Sequence, residues 1–344
     1  MLEKYAQRSA LMEKSESVLQ VSVLVITWNN FSFLERSINC LRLQSFNKFE
    51  ILIVDNGSKD DFLDELPEKY PSLDLKTHKL QTNHGFAAAN NIGARLANGK
   101  YLVLLNADAF PEPDWLERLL EAAEKYPNAS LSSRQIQVDR PDLLDGEGDV
   151  YHVSGLGWRK NYNLPVYPLT EPQEIFSACG AAALYPRQAF LDAGGFDEDY
   201  FSYHEDVDLG FRLRLRGLKC MLIPAAVVHH VGSASTGKRS DFSVYYGHRN
   251  LVWTYFKDMP ALLLWLFLPL HVLVGVFFLF YFTLRGQGNV IWRAKIDALR
   301  GLPRIMKKRR EVQRSRSITT ADLYRVMSRN WLTPFVEFLK RRSG

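Results

Sequence analysis

Cysteine is scarce in this chain of 344 residues: Cys40, Cys179 and Cys220 are the only three, and they show neither paired nor metal-ligand spacing. That excludes a disulfide scaffold and fits a reducing compartment, and none of the three has the setting of a thiol nucleophile. The first 20 residues are polar and charged with no apolar run, so no cleaved signal peptide is expected. No G-x-G-x-x-G follows the first strand pattern and no G-x-x-x-x-G-K-[ST] occurs, which removes the usual dinucleotide and P-loop devices for holding phosphate. Internal repeats and low-complexity stretches are also missing. What is left is a chain long enough to bury a full core and longer than one simple domain needs.

Charge is unevenly spread. Residues 285–344 hold 16 Lys/Arg against 4 Asp/Glu, whereas the preceding 284 residues hold 27 basic and 34 acidic groups. An acidic body with a basic tail calls for an anionic partner, either nucleic acid or a bilayer surface. Ala261–Leu284 decides between them: 24 residues without a formal charge, flanked by Asp258 and Arg285, are long enough to cross a hydrocarbon core. A bilayer is then the more economical partner than nucleic acid. Pro269 and His271 near the middle of this segment allow two short helices that dip in and return. A cysteine-poor body and a basic tail both belong on the cytoplasmic side, which one span cannot achieve, so a re-entrant or interfacial hairpin is expected.

Between about residues 20 and 250 strand and helix patterns alternate. Gln20–Thr27 and Glu50–Asp55 are nearly continuous apolar runs of the kind found in central parallel strands. An amphipathic helix bearing Leu34, Ile38, Leu41 and Leu43 lies between them. Asp60 and Asp61 then lead a helix through Phe62 and Leu66, a shorter strand falls near Leu73–His78, and a small-residue helix, Ala87–Ala97, precedes the strand Tyr101–Asn106. Such alternation predicts an α/β fold with a mostly parallel, doubly wound sheet. Ligands in such sheets bind beyond the carboxyl ends of the strands, where Thr27, Asp55, Asn83 and Asp108 collect. The second half, from about 130 to 250, reads as mixed strands and loops with two helices.

Several residues there can carry chemistry. Asp55 ends a strand before the turn Asn56-Gly57-Ser58; it either accepts from a nucleotide's base or ribose or closes an Asx-turn. Without a phosphate loop, a nucleoside diphosphate needs another counter-charge, and Asp108 is a suitable oxygen donor for Mg2+ or Mn2+; alternatively it only leads into the helix Asp114–Lys125, for which Asp114 is itself a natural N-cap. Glu205, Asp206 and Asp208 open a helix, where the macrodipole favours acids. Crowded in a cleft, they would raise the proton affinity of at least one carboxylate, as a general base requires. Asp208 is placed to pair with Arg212 one turn on. Of His229 and His230, adjacent on a strand, only one can face a site, and a histidine ligand favours Mn2+. Arg249 can clamp a diphosphate bidentately or form a surface ion pair.

Together VSVLVITWNN, ILIVDNGSKD, NHGFAAANNIGARLANG, YLVLLNADAF, CGAAALYPRQAFLDAGGFDEDYFSYHEDVDLGFRLRLRG and HHVGSAST, in that order over residues 20–250, resemble the family 2 glycosyltransferases, inverting enzymes of GT-A fold, and within them a rhamnosyltransferase-like branch of polysaccharide and glycolipid assembly. The resemblance implies a GT-A, Rossmann-like sandwich with C-terminal membrane-associated helices. It assigns Thr27 and Asp55 to the base and ribose, and Asn83, Gly85 and Asn90 to the nucleotide-sugar pocket. Asp108 takes the last acid of the family's Asp-x-Asp motif, Asn106 replaces the first, and His230 completes the metal site. Asp206 matches the catalytic base, with Glu205 beside it, and Cys179-Gly180 shape the donor-sugar and acceptor pocket. The processive Gln-x-x-Arg-Trp motif is missing, so transfer of a single sugar is implied. The donor is a TDP- or UDP-linked sugar, the cofactor Mn2+ or Mg2+, the acceptor a glycan or polyprenyl-linked glycan, and the location the cytoplasmic face of a membrane.

The expected organisation is an N-terminal extension (1–19), a GT-A domain (20–255), a hydrophobic membrane-associated segment (256–286) and a basic helical tail (287–344). Two rivals make contrary demands. A nucleotidyltransferase would carry a Gly-rich, Lys/Arg-bearing loop after the first strand, where this chain has Thr27-Trp28-Asn29-Asn30-Phe31. A non-catalytic membrane-bound protein of the same fold would have lost the acid at 206 or 108, and both are present.

Overall fold

A computed structural model describes residues 19–59, 62–232, 240–330 and 333. The N-terminal extension (save residue 19), the leading Asp60 and Asp61, residues 233–236 of the HHVGSAST motif and the end of the basic tail lie outside the described residues.

The first half runs β1 (Val21–Thr27), α1 (Phe31–Arg42), β2 (Phe49–Asp55), α2 (Leu66–Lys69), β3 (Asp74–Lys79), α3 (Gly85–Leu96), β4 (Tyr101–Asn106), β5 (Ala109–Pro111), α4 (Trp115–Lys125) and β6 (Ala129–Gln137). Short strands follow: β7 (Leu144–Gly146), β8 (Asp149–Tyr151), β9 (Gly157–Arg159), β10 (Gln173–Glu174) and β11 (Ala182–Pro186). Next come α5 (Arg187–Asp192), α6 (Glu205–Leu215) and the long β12 (Lys219–His230), then the helices α7 (Asp241–Asp258), α8 (Ala261–Phe282), α9 (Gly288–Arg314) and α10 (Thr320–Val326).

One sheet organises the body, in the order β10-β12-β6-β11-β4-β1-β2-β3, with β5 on β12 and β7 on β6. β3, β2, β1 and β4 are mutually parallel, as are β6 and β12. β11 is inserted antiparallel between β4 and β6. Because successive strand residues face opposite sides, β1 serves two cores. Val21, Val23 and Val25 pack with Leu34, Ile38 and Leu41 of α1 and Trp115, Leu116 and Leu119 of α4. Leu24 packs on the other face with Ala87, Ala89 and Ala94 of α3 and Leu209 and Leu213 of α6. Burial on both faces explains the unbroken apolar runs.

The structure shifts some expected details. Leu43 is not on the buried stripe; it caps α1 and is largely exposed. Asp114 occupies the N-cap position of α4 without a capping bond, because its carboxylate accepts from Arg118 Nε at 3.0 Å instead. The expected boundary at 255/256 falls inside α7. Pro269 does not divide the apolar segment, since α8 is continuous through it. The chain breaks at Gly286, whose φ of +81° is a left-handed value that glycine adopts without steric cost. α9 then returns along α7, with Gln287 Nε2 donating to Asp241 at 2.8 Å, Trp253 Nε1 to the Ala298 carbonyl at 3.0 Å, and Gln313 Nε2 to the Asp258 carbonyl at 2.8 Å. The basic helix is therefore packed on the catalytic body rather than trailing from it.

Candidate active site

β1, β2 and β4 end in register, Thr27 opposite Asp55 and Ile26 opposite Asn106, so their following loops open on one edge. There lies a cavity of about 730 Å³ whose lining includes Thr27, Asn83, Gly85, Asn106, Asp108, Gly180, Glu205, Asp206 and His230. All nine were singled out from sequence, and Cys179 lies on the same wall. The Thr27 hydroxyl is buried and lacks a hydrogen-bond partner among the described residues, a polar atom that a ligand in the cavity can satisfy.

Asp55, Asn90 and Arg249 are not on the cavity wall. Asp55 is fully buried and closes its own turn, accepting from the Ser58 amide at 3.1 and 3.2 Å and from the Ser58 hydroxyl, which is the Asx-turn alternative. It presents its neighbour Asn56 to the cavity. Asn56 Nδ2 donates to Asn83 Oδ1 at 3.0 Å and Asn56 Oδ1 accepts from the His84 amide at 2.9 Å, joining two strand-end loops. Asn90 lies one turn behind the cavity, its Nδ2 donating to the Phe86 carbonyl at 2.9 Å. Arg249 lies off the cavity wall and, among the described residues, forms no surface ion pair. Its guanidinium stacks over Tyr246 and Trp253 and donates to the carbonyls of Asp199 and Tyr200 at 2.9 and 3.0 Å.

Those bonds belong to the loop that delivers the acids. Phe201, Tyr203 and His204 have φ of 64°, 69° and 66°, three left-handed non-glycine residues within four positions, a backbone that costs energy and is held by its surroundings. The holding group is Asn250, fully buried, whose Nδ2 donates to the carbonyls of Tyr200, Ser202 and Tyr203 at 3.0, 2.9 and 2.8 Å. On the opposite side Gly85, with φ +85°, lets the loop come close: a Cβ there would lie 2.5 Å from the Phe201 carbonyl oxygen. The sequence marked Gly85 as a pocket residue, yet its evident work is to admit Phe201.

The loop sets the two acids apart. Asp206 reaches the cavity with Oδ2 accepting from the Gly180 amide at 3.0 Å and Oδ1 from the Val207 amide at 2.8 Å. Glu205 is buried, and its Oε2 finds no hydrogen-bond partner among the described residues. Burial, reinforced by the neighbouring Asp206 charge, pushes the Glu205 carboxyl well above the ordinary range. Asp208 pairs with Arg212 as its spacing implies, Nη2 to Oδ2 at 2.7 Å, and also takes Lys257 at 2.5 Å.

At the other corner His230 is the histidine that faces inward, while His229 lies 3.3 Å from Glu112. His230 Nδ1 contacts Asp145 at 2.7 Å and Nε2 contacts Asp108 at 3.3 Å. Burial opposes charging the ring, but hydrogen bonds to Asp108 and Asp145 raise its pKa to about 9; burial likewise opposes charge on Asp108, and His230 nevertheless lowers its pKa. Arg159, which also pairs with Asp145, brings a second cation to this wall. Asp145 and Arg159 come from the three-residue strands β7 and β9, too short for a periodicity or motif to mark them.

The donor chemistry fits a divalent cation in part. Asp145 fixes the His230 ring so that Nε2 faces the Asp108 carboxylate, the orientation a ligating histidine takes from a carboxylate behind it. Among the described residues no group of three or more His, Cys, Asp and Glu gathers for a metal. The pair suits an open-sided site in which substrate phosphate and water supply the remaining oxygens.

An α/β sheet with polar residues at its strand ends, an acid base-candidate on one wall and a paired Asp–His corner on the other defines a nucleotide-sugar transferase of GT-A fold. The profile of Glycosyl transferase family 2 matches residues 22–193, and the chain belongs to that family. It is a glycosyltransferase acting on nucleotide-sugar donors. Relatives include N-acetylglucosaminyl-diphospho-decaprenol L-rhamnosyltransferase of Mycobacterium tuberculosis, 30% identical over 244 residues that cover 63% of this chain and 77% of that protein. The O-antigen biosynthesis protein RfbC of Myxococcus xanthus is 28% identical over 239 residues, 64% of this chain and 18% of that one. Among solved structures, S. aureus TarS 1-349 superposes with a TM-score of 0.56 at 17% identity over 89% of both chains. GalNAc-T7 with UDP, GalNAc and Mn2+ gives 0.59 at 20% identity over 72% of this chain and 49% of that one. At these identities the structural likeness speaks to the fold.

Proposed function

We propose that this enzyme moves one sugar, with rhamnose the first candidate, from a thymidine- or uridine-diphosphate donor to a glycan or polyprenyl-linked glycan, with inversion, at the cytoplasmic face of a membrane. The observation that carries the reading is the placement of Asp206. Its carboxylate is held by the Gly180 and Val207 amides on the wall of the cavity that also contains the Asp108–His230 corner. A rhamnosyl donor and a polyprenyl-linked acceptor are taken from the name of the mycobacterial relative.

In this reading Thr27 and Asn83 meet the base and ribose, and Asn56 joins them. Asp206 takes the proton of an acceptor hydroxyl. That oxygen forms a bond to the anomeric carbon from the face opposite the nucleoside diphosphate, whose bond to the carbon breaks with the electron pair leaving on the diphosphate. Asp108 and His230 would hold Mn2+ or Mg2+, which when bound supplies charge neutralisation at the leaving diphosphate. The chain's own Arg159 adds positive charge on the same wall. Glu205, buried beside Asp206, has its carboxyl pushed well above the ordinary range by burial and by the Asp206 charge.

Purified protein incubated with a panel of nucleotide sugars, with and without Mn2+, should transfer or hydrolyse one of them preferentially. Asp206→Asn should abolish transfer while leaving donor binding by calorimetry within about threefold of wild type, since the amide keeps the shape but accepts no proton. Near-normal turnover in that variant would show that another group is the base.

A further inference from the structure

The helical hairpin α8–α9 presents an outer face that no described element covers. On α8 the exposed positions are Leu262, Trp265, Leu266, Pro269, Val272, Leu273, Val276, Phe277 and Phe280, a helical stripe without one polar side chain. On α9 Trp292, Ile296, Leu299 and Met306 are exposed. Arg293, Arg300, Lys307 and Arg310 flank them, also exposed. The whole of α9 carries nine Lys/Arg and two Asp/Glu. An apolar stripe bordered by arginine and tryptophan has the chemistry of the boundary between acyl chains and anionic headgroups.

The inner face of α8 settles its orientation. Tyr255 Oη donates to the Leu264 carbonyl at 2.7 Å, His271 Nδ1 meets the Ser154 carbonyl at 2.8 Å and stacks on Tyr255 at 3.9 Å, and His248 packs on Phe278 and Phe282 at 5.0 and 4.9 Å. The helix is thus seated on α7 and the catalytic body from its first turn to its last. Its 22 residues are long enough to cross a bilayer, but crossing would carry Ser154, Tyr255 and His248 into the hydrocarbon with it. Lying flat, the same helix buries only its outer stripe.

Resting on the membrane reading above, we infer that α8 lies in the plane of one leaflet of an anionic bilayer, with α9 among the headgroups, and does not span it. The occupant of the exposed face is lipid. α7 bears Phe242 and Gly247 of the cavity wall and the loop brace Asn250, and α8 and α9 both rest on it. The active site then sits roughly one helix diameter, about 10 Å, from the bilayer surface, within reach of a lipid-linked acceptor.

Nitroxide depth measurements on the full chain test this. Cys40→Ser leaves two buried cysteines; in that background Leu262→Cys, Leu273→Cys and Phe280→Cys are labelled singly and bound to vesicles of phosphatidylglycerol and phosphatidylcholine. A flat helix gives three depths that agree within about 5 Å, each in the outer acyl region. A spanning helix separates residues 262 and 280 by about 27 Å along the normal, and that pattern would overturn the in-plane orientation while leaving membrane attachment standing. Failure to bind any vesicle, with self-association in solution instead, would overturn attachment too and assign the face to a second copy. Arg293→Glu with Arg300→Glu should weaken binding to anionic vesicles about tenfold or more and leave donor hydrolysis in solution unchanged; unchanged affinity would refute the headgroup role of α9. Donor hydrolysis, measured without vesicles, reports on the glycosyltransferase reading separately.

Discussion

Replacing Asn250 by alanine removes the amide that holds the Tyr200–Tyr203 carbonyls at 2.8–3.0 Å. Its two N–H groups, shared among the three carbonyls, and its Oδ1, which accepts from Arg249 Nε at 2.9 Å, make three bonds of about 1 kcal/mol net each, so about 3 kcal/mol of support disappears. The three left-handed residues it stabilises each cost roughly 1 to 2 kcal/mol, a sum of the same size, and the loop should relax once the amide is gone. A 3 kcal/mol bias lowers the population of the competent loop by up to about a hundredfold. Asp206, immediately after the loop, should then leave the cavity wall most of the time, while Thr27 and Asn83 stay where β1 and α3 put them. The expected result is a fall in kcat of between about ten- and a hundredfold with donor KM within about threefold. For a chain of this length 3 kcal/mol lowers Tm by about 4 °C. Asn250→Asp is the sharper control: it keeps the shape but turns a donor toward three carbonyls into an acceptor, and should be at least as damaging. Steady-state kinetics and a thermal melt decide the matter. A variant that melts earlier but retains wild-type kcat would show that Asn250 is a packing residue only, with no hold on Asp206.

Asp108→Ala should raise the Mn2+ concentration needed for half-maximal donor binding by about tenfold or more, read by calorimetry or Mn2+ spectroscopy. Glu205→Gln tests the raised proton affinity of that carboxyl through pH. Because the native pKa lies above the ordinary 4.5, the folded state holds a proton that the unfolded chain releases, and stability conferred by the neutral form is lost as pH rises above that value. The difference in Tm between Glu205→Gln and wild type should therefore grow in the variant's favour from pH 5 to pH 8; a constant difference would mean Glu205 is ionised throughout. Lys257→Met removes the buried ammonium that lies 2.6 and 2.5 Å from Asp197 and Asp208, leaving those carboxylates to Lys308 and Arg212, and should lower stability in denaturant unfolding by less than the loss of an unpartnered buried charge would. Gly85→Ala meets Phe201 at 2.5 Å with φ in the left-handed region, and should yield little folded, active protein.

How much of this was legible before the fold was known depended on whether a residue's task is local. β1, β2 and β4 announce themselves because a strand buried on both faces must be apolar at every position, and strand-end Thr27, Asn106 and Asp108 follow by position alone. Asp208 and Arg212 lie one helical turn apart, so spacing is enough to pair them. Asp55 had two local meanings, and only the position of Ser58 distinguishes them. Asn56 was visible as a turn residue, yet that its side chain bridges to Asn83 depends on how β2 and α3 are brought together. Asp145 meets His230, and Arg159 meets Asp145, from the short strands β7 and β9, whose three residues are too few for a periodicity to be read.

Arg249 sits against the loop before Glu205 and Asp206 rather than on the cavity wall. Beside Tyr245 and Tyr246 it looks like a phosphate clamp, and its guanidinium does find oxygen, but as the carbonyls of Asp199 and Tyr200. Its charge is met by the faces of Tyr246 and Trp253. The same loop is gripped from α9, where Arg304 Nε lies 2.9 Å and Lys308 Nζ 2.7 Å from Asp199, and Lys308 also pairs with Asp197. One short segment before Glu205 and Asp206 is thus bound by α7 and by the basic helix at once. A tail whose sole task was to meet a membrane would not need Arg304 and Lys308 turned toward the active-site loop. The division of labour along α9 follows: its Arg293, Arg300 and Arg310 are free of the loop and exposed, and the other two hold the backbone on which Asp206 depends. Losing α9 should therefore lower kcat on a soluble acceptor analogue, a defect that tethering the truncated chain to a vesicle by another anchor would leave in place.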